Sequence, residues 1–335
     1  MNAPARLVVR APNWLGDAVM ALPAIDAIRR AMPESFIAVA AVPAVAPLFE
    51  EETSARLNLV LSVEKKKEPA ALGAGAFDAI LLLPNSFRSA WMARRAAIPE
   101  RWGYSTHLRS SLLTRSVPPP SGVLHQSTYY LDLVRGLGFE AGAAHPSLRI
   151  TPRTVARAEA LLERHGVPSS ALLVGFAPGA AYGHAKRWPP SRVAETIARL
   201  SRERGVTCLL AGAESDRDAG REIESTLPSD VRAVNLIGRT SLREFAGVLA
   251  RCAVFVSNDS GAMHLAAAIG VPVVAIFGPT NERVTAPLGA HDVLVHEVFC
   301  RPCMLRDCPI DHRCMKGISV ASVFDAVSRR LEARL

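Results

Sequence analysis

Val254-Phe255-Val256-Ser257 runs straight into Asn258-Asp259-Ser260-Gly261-Ala262-Met263-His264. The first four residues read as a buried strand, and the polar and small residues after them open an apolar helix. Ser260 and Gly261 then offer backbone amides at the positive end of the helix dipole, a place suited to an anion. A strand passing through such a loop into a helix is the unit of a parallel α/β sheet. Gly278-Pro279-Thr280 repeats the arrangement after the next strand, Val273 to Phe277. Upstream, strands are expected at Leu172 to Phe176, Thr207 to Ala211 and Val231 to Leu236. Helices are expected near Arg192 to Arg204, Leu242 to Ala250 and Met263 to Ile269, by apolar spacing.

The first half carries the same alternation. Arg6 to Arg10 reads as a strand, followed by a loop to Gly16 and an amphipathic helix from Asp17 to Ala31 stopped before Pro33. Phe36 to Val42 is the next strand, Ala79 to Leu83 ends at Pro84, and a helix from His125 to Leu137 stops at Gly138. Ala141 to Pro152, with Gly142 and Pro146, reads as a connection. At 335 residues the chain exceeds one ordinary core. The expectation is therefore α/β: two Rossmann-like, doubly wound domains, 1–152 and 153–335, facing across a cleft, the second bearing a cysteine-rich segment 300–314 and a C-terminal helix. In such sheets ligands bind beyond the carboxyl ends of the strands.

Hydrophobic residues make up 49% of the chain and charged residues 21%, which excludes disordered, collagenous and coiled-coil classes. No window approaches eighteen apolar residues, and Arg10, Asn13 and Asp17 interrupt any secretory signal, so a cytoplasmic chain is expected. The net charge is +8, with six arginines (Arg88, Arg94, Arg95, Arg101, Arg109, Arg115) against Glu100 alone between Ala79 and Leu131. That excess fits an anionic partner or a solvated surface. Aromatics are only 6% and are not interleaved with the basic residues, which argues against a nucleic-acid binder.

Asn13-Trp14-Leu15-Gly16-Asp17 places a glycine turn and a carboxylate at a helix entrance, where aspartate also serves as a cap. It lacks the three-glycine spacing of a dinucleotide fingerprint, as does Gly73-Ala74-Gly75. Ala177 to Pro189 contains Gly179, Gly183, Lys186 and Arg187, with Pro189 favouring helix initiation. It reads either as a diphosphate cradle or as a surface loop with Trp188 anchored in the core. His264 is taken as a ligand contact, although a lone helix histidine is commonly a satisfied core residue. Asp216-Arg217-Asp218 matches a cation-holding pattern, but a helix start from Ser215 is the better reading. Glu214 is a weak candidate for a ribose. Cys300, Cys303, Cys308 and Cys314 are close enough for a structural metal or merely reduced thiols, with spacing irregular for a zinc ribbon.

With these loops quoted, the chain resembles the lipopolysaccharide heptosyltransferases of glycosyltransferase family 9, most nearly the subgroup that adds the second heptose. Ala11 to Asp17, Pro178 to Pro189, Asn258 to His264 and Gly278 to Thr280 carry the resemblance, and residues 40 to 80 add little. It implies a GT-B architecture and inverting transfer from ADP-L-glycero-D-manno-heptose to the first heptose of a Kdo2-lipid A acceptor, at the cytoplasmic face of the inner membrane. It implies Asp17 as general base, and Lys186, Asp259, Ser260, Gly261 and His264 toward the donor, to which the reading of the residues themselves adds Tyr182 and Glu214. Asn13, Trp14, Arg88 and Arg109 would face the acceptor. No cofactor or nucleic acid is implied. Where a relative of the other specificity has a hydroxyl residue four before the lysine, this chain has Tyr182. A nucleotide-sugar epimerase of the same architecture is the alternative.

Overall fold

The computed structural model describes residues 3–333. The chain divides into two compact units, Met1–Arg149 and Ile150–Leu335.

In the first unit the strands are β1 (Arg6–Arg10), β2 (Phe36–Ala41), β3 (Leu59–Ser62), β4 (Ala79–Leu82), β5 (Glu100–Tyr104) and β6 (Arg115–Val117). Its helices are α1 (Leu15–Met20), α2 (Leu22–Ala31), α3 (Glu68–Ala74), α4 (Phe87–Arg95) and α5 (Gln126–Gly136). Among the described residues these strands form one six-stranded sheet, ordered β3-β2-β1-β4-β5-β6, and every pairing is parallel. Leu7, Val8 and Val9 of β1 and all of β4 are fully enclosed, as a parallel sheet covered on both faces requires. The helix expected from Asp17 to Ala31 is two helices joined at Ala21. The reason is Pro23, which has no amide hydrogen for the turn before it.

The second unit holds β7 (Leu173–Ala177), β8 (Thr207–Leu210), β9 (Ala233–Asn235), β10 (Cys252–Asn258), β11 (Val273–Phe277) and β12 (His291–Val295). Its helices are α6 (Pro152–Arg164), α7 (Pro190–Arg204), α8 (Arg217–Thr226), α9 (Leu242–Arg251), α10 (Gly261–Ile269), α11 (Glu282–Thr285), α12 (Arg313–Lys316) and α13 (Val320–Glu332). The parallel sheet runs β12-β11-β10-β7-β8-β9, which in order of appearance repeats the topology of the first unit. Local chemistry sets the helix ends. Thr151 caps α6 ahead of Pro152, Ser241 and Glu244 form a reciprocal box at α9, and α7 stops at left-handed Gly205. The C-terminal helix α13 packs Phe324 and Val327 into the core beside Trp188 and Ile197.

In each sheet the first strand lies next to the fourth, and the chain winds outward in opposite directions from that pair. These are the topological switch points, where loops diverge and leave a crevice for ligands. They fall between β1 and β4 in one unit and between β7 and β10 in the other.

Candidate functional site

At the switch point of the second unit, two loops far apart in sequence meet. Lys186 Nζ donates to Asp259 Oδ2 at 2.5 Å, with side-chain exposures of 11% and 6%. Thr280 Oγ1, from the loop after β11, donates to the same oxygen at 2.6 Å. Asn258, buried at the end of β10, ties the loop after β7 at both ends: its Nδ2 donates to the Pro178 carbonyl at 2.7 Å, and its Oδ1 accepts from the Trp188 amide at 3.2 Å. Trp188 is enclosed, its indole donating to the Ile318 carbonyl. The two readings of this loop are thus compatible, since the tryptophan anchors it and the lysine stands at the switch point.

Ser260 is the N-cap of α10, and its hydroxyl meets that of Ser257 at 3.1 Å rather than closing onto its own helix. Ser260, Gly261 and Ala262 are half-buried, so the first turn of α10 is partly open. His264 is buried. Tyr182 donates its hydroxyl to the Met304 carbonyl at 2.8 Å, and the Lys186 ammonium lies 4.6 Å from its ring centre. Its hydroxyl is therefore already engaged, and what it offers the lysine is an aromatic face. Glu214 is exposed and pairs with Arg217 at 3.3 Å.

The segment 300–314 lies against these loops. The Ala185 amide donates to the Arg306 carbonyl and the Met304 amide to the Pro279 carbonyl, both at 2.9 Å. A Cβ on Gly183 would fall 2.3 Å from the Arg306 carbonyl oxygen, so only glycine permits that approach. Cys314 is buried and Cys300, Cys303 and Cys308 are half-buried, all with free thiols. Burial pushes the Cys314 thiol up, and the other three cysteines are near enough to add to the effect. Among the described residues no group of three or more His, Cys, Asp or Glu is placed to hold a metal ion.

Asp216 and Asp218 do not form a cation clamp: Asp218 is exposed and paired with Arg221, whereas Asp216 is buried. Asp216 accepts from the Ala213 amide, pairs with Arg187 at 3.5 Å and packs so tightly under Gly179 that a Cβ there would lie 2.1 Å from its carboxyl carbon. Burial raises the proton affinity of Asp216. The motif is a helix start that also supports the loop after β7.

At the switch point of the first unit, Arg10 organises the loop after β1. It is almost fully buried, pairs with Glu68 at 2.6 Å, donates to the Ala11 carbonyl and holds Asn13 Oδ1 at 2.9 Å. Arg88 reaches the other oxygen of Glu68 at 3.8 Å while staying exposed. Trp14 is 62% exposed as the N-cap of α1, and Asp17 stands half-buried in the first turn of that helix. Asp17 lies near Tyr130 of α5, whose phenol is pushed up by burial and then by the Asp17 charge.

Arg109 corrects the sequence reading. It is wholly buried, with its guanidinium donating to the carbonyls of Tyr104 and Pro84 and to Ser89 Oγ. Burial lowers its pKa to about 10. It fastens the loop after β5 to the loop after β4 and cannot touch an acceptor. Arg10 and Glu68 were given no site role from sequence, and Asn258 and Thr280 were read only as members of their loops. Arg10 left a signal of its own, since an arginine closing an enclosed strand must find a partner.

A family model for "Glycosyltransferase family 9 (heptosyltransferase)" matches residues 68–313. The chain is 32% identical over 303 residues to the lipopolysaccharide heptosyltransferase 2 of Salmonella typhimurium, covering 84% of this chain and 85% of that one. Identity to the Escherichia coli K12 protein of the same name is 31% over 303 residues, with the same coverage. The solved structure of E. coli ADP-heptose lps heptosyltransferase II superimposes with a TM-score of 0.85 at 26% identity, covering 98% of this chain and 99% of that one. The two parallel six-stranded sheets are thus those of GT-B heptosyltransferases. From the loops at both switch points and this similarity along most of its length, the chain belongs to glycosyltransferase family 9, the heptosyltransferases.

Proposed function

We propose that this glycosyltransferase moves L-glycero-D-manno-heptose from ADP-heptose to the first heptose of a Kdo2-lipid A acceptor, inverting the anomeric carbon. The observation that carries the donor assignment is the Lys186–Asp259–Thr280 cluster at the switch point of the second unit. An ammonium has three donors, so Lys186 can keep Asp259 and still bind diphosphate oxygens. Together with the amides opening α10, it would stabilise the negative charge that grows on ADP as the glycosidic bond breaks. Gly261 and Ser260 supply those amides, and buried His264 would act from beneath them.

The acceptor hydroxyl must lose its proton as it attacks, and Asp17 is assigned that role. Asn13, held by Arg10, and exposed Trp14 and Arg88 are assigned to the sugars and phosphates of the acceptor. These groups supply the charge the reaction needs, so the scheme uses no cofactor. A metal among the four cysteines would serve the brace formed by segment 300–314 rather than the chemistry, and metal analysis of the purified chain decides it.

The test is a transfer assay with ADP-heptose and two acceptors, Kdo2-lipid A with and without its first heptose. Transfer to the heptosylated acceptor alone is expected. Transfer only to the bare acceptor would reassign the step, and consumption of ADP-heptose with neither would favour the epimerase.

A further inference from the structure

Helix α4 reads Phe87-Arg88-Ser89-Ala90-Trp91-Met92-Ala93-Arg94-Arg95, with three arginines and no acid. At roughly 100° per residue, Arg94, Phe87, Trp91, Arg95 and Arg88 fall in that order within an arc of about 120°. Ser89, Ala90, Met92 and Ala93 occupy the other side and are buried. The arc is what the molecule leaves open: Phe87 and Trp91 are 48% and 43% exposed, and all three arginines are exposed. Two large rings therefore sit in the middle with guanidinium groups on both flanks. The helix dipole accounts for Arg94 and Arg95 in the last turn, but not for the rings between the cations.

The surroundings extend the positive charge. Exposed Lys65, Lys66 and Lys67 form the turn before α3, and Arg88 donates to the Lys65 carbonyl at 2.5 Å. The neighbouring acids are already matched: Glu64 pairs with Lys67 at 3.2 Å, and Glu68 is buried with Arg10. Among the described residues, no carboxylate stands within ion-pair distance of Arg94 or Arg95.

We propose that this face of α4, with the lysine turn 65–67 beside it, docks onto an anionic lipid bilayer. Arginines and lysines would meet lipid phosphates while Phe87 and Trp91 settle at headgroup depth, where amphipathic rings are favoured. A convex arc suits a planar surface. It lacks the groove and successive stacking platforms by which single-stranded nucleic acid is held. The lipid acceptor of the proposed reaction supplies the biological reason for docking, and the purpose of the surface rests on that reading. The binding itself does not.

Flotation of the full chain with phosphatidylglycerol–phosphatidylethanolamine vesicles, against phosphatidylcholine vesicles, tests the surface with neither donor nor acceptor present. The chain should float with the anionic vesicles, less so as salt rises. Arg94→Gln with Arg95→Gln should weaken this about 30-fold, the loss expected for two charges near such a surface. Phe87→Ser with Trp91→Ser should weaken it at least about tenfold, and Trp91→Tyr should largely keep it. Arg94 and Arg95 are exposed, so thermal unfolding should be unchanged in that pair, and the ring pair, which gives up the covered half of each ring, should stay folded at the assay temperature. Turnover of a water-soluble, lipid-free acceptor should be unchanged in both pairs. Wild type that fails to turn over any acceptor yet floats would sink the transferase reading and leave this one standing. The docking proposal is overturned if wild type does not float with anionic vesicles at low salt, or if the α4 variants float as wild type does. It is equally overturned if a single-stranded oligonucleotide binds more tightly than the vesicles and is lost in the same variants.

Discussion

Replacing Lys186 by Met separates what the lysine does for the fold from what it does for the donor. The substitution leaves Asp259, 6% exposed, with its charge answered only by the Thr280 hydroxyl. Breaking a buried pair by removing one partner costs about 3–5 kcal/mol. Because Lys186 itself is 11% exposed, water can reach the edge of the pair and the lower end, about 3 kcal/mol, applies. Adding Asp259→Asn removes the stranded charge while keeping an oxygen to accept from Thr280. The double variant should then recover most of the lost stability, to within about 1 kcal/mol of wild type. Activity should not recover, because the cation assigned to the diphosphate is still absent. A fall of about 100-fold or more in kcat/KM for ADP-heptose is expected in both variants. Urea unfolding of wild type, both singles and the double closes the cycle, and calorimetric titration with ADP reports donor affinity. If Lys186→Met unfolds within 0.5 kcal/mol of wild type, a scale set by ordinary surface substitutions, the pair does not hold these loops. If it keeps donor affinity and turnover, the lysine is not the donor group.

Asp17→Asn should leave ADP-heptose affinity intact and lower kcat about 100-fold or more; unchanged single-turnover rates would remove the general-base assignment. Arg109→Leu strands the Tyr104 and Pro84 carbonyls, and should lower unfolding free energy by about 2–4 kcal/mol. Normal stability with a raised KM for acceptor would return Arg109 to the binding surface. Asp26 is buried in α2 and its pKa is pushed up from 3.8 to about 6, chiefly by desolvation. The folded state therefore holds this proton more tightly than the unfolded state, and stability contributed at low pH is lost as pH rises from about 4 through about 6. Asp26→Asn should accordingly stabilise the chain by on the order of 2 kcal/mol at pH 8 and by little at pH 4. Denaturation at both pH values checks the sign, and an equal effect at each would refute the linkage.

The strands that sequence reasoning located are the enclosed ones. β1, β4, β7, β10 and β11 are apolar runs that end in a proline, a glycine or a polar loop, a pattern confined to a few consecutive residues. The strands it passed over are β3, β5, β6 and β12, three of them sheet edges and β5 next to one. Arg115-Ser116-Val117 and Glu100-Arg101-Trp102-Gly103-Tyr104 show no clear alternation because their pairing partners, not their own side chains, make them strands. Val231 to Leu236 shrank to the three residues of β9 for the same reason. In the candidate site, Lys186, Asp259, Ser260 and Gly261 were legible as loop chemistry, whereas Arg109 was misread. An arginine in a basic stretch looks the same in sequence whether it faces water or buried carbonyls.

Sequence alone determined the alternation of strand and helix, the two-unit organisation of the chain as an expectation, and the loops that carry the family resemblance. Each of these is written in neighbouring residues: a period of apolar positions, a cap, a glycine or proline at a turn. Only the tertiary structure decided which charges answer one another. Lys186 finds Asp259, Arg10 finds Glu68 and Asp216 closes under Gly179 because parallel strands bring loops from distant parts of the chain to one end of a sheet. Burial there makes an unmatched charge costly, and it is this long-range desolvation, absent from any local stretch of residues, that assigns each ionised side chain its partner.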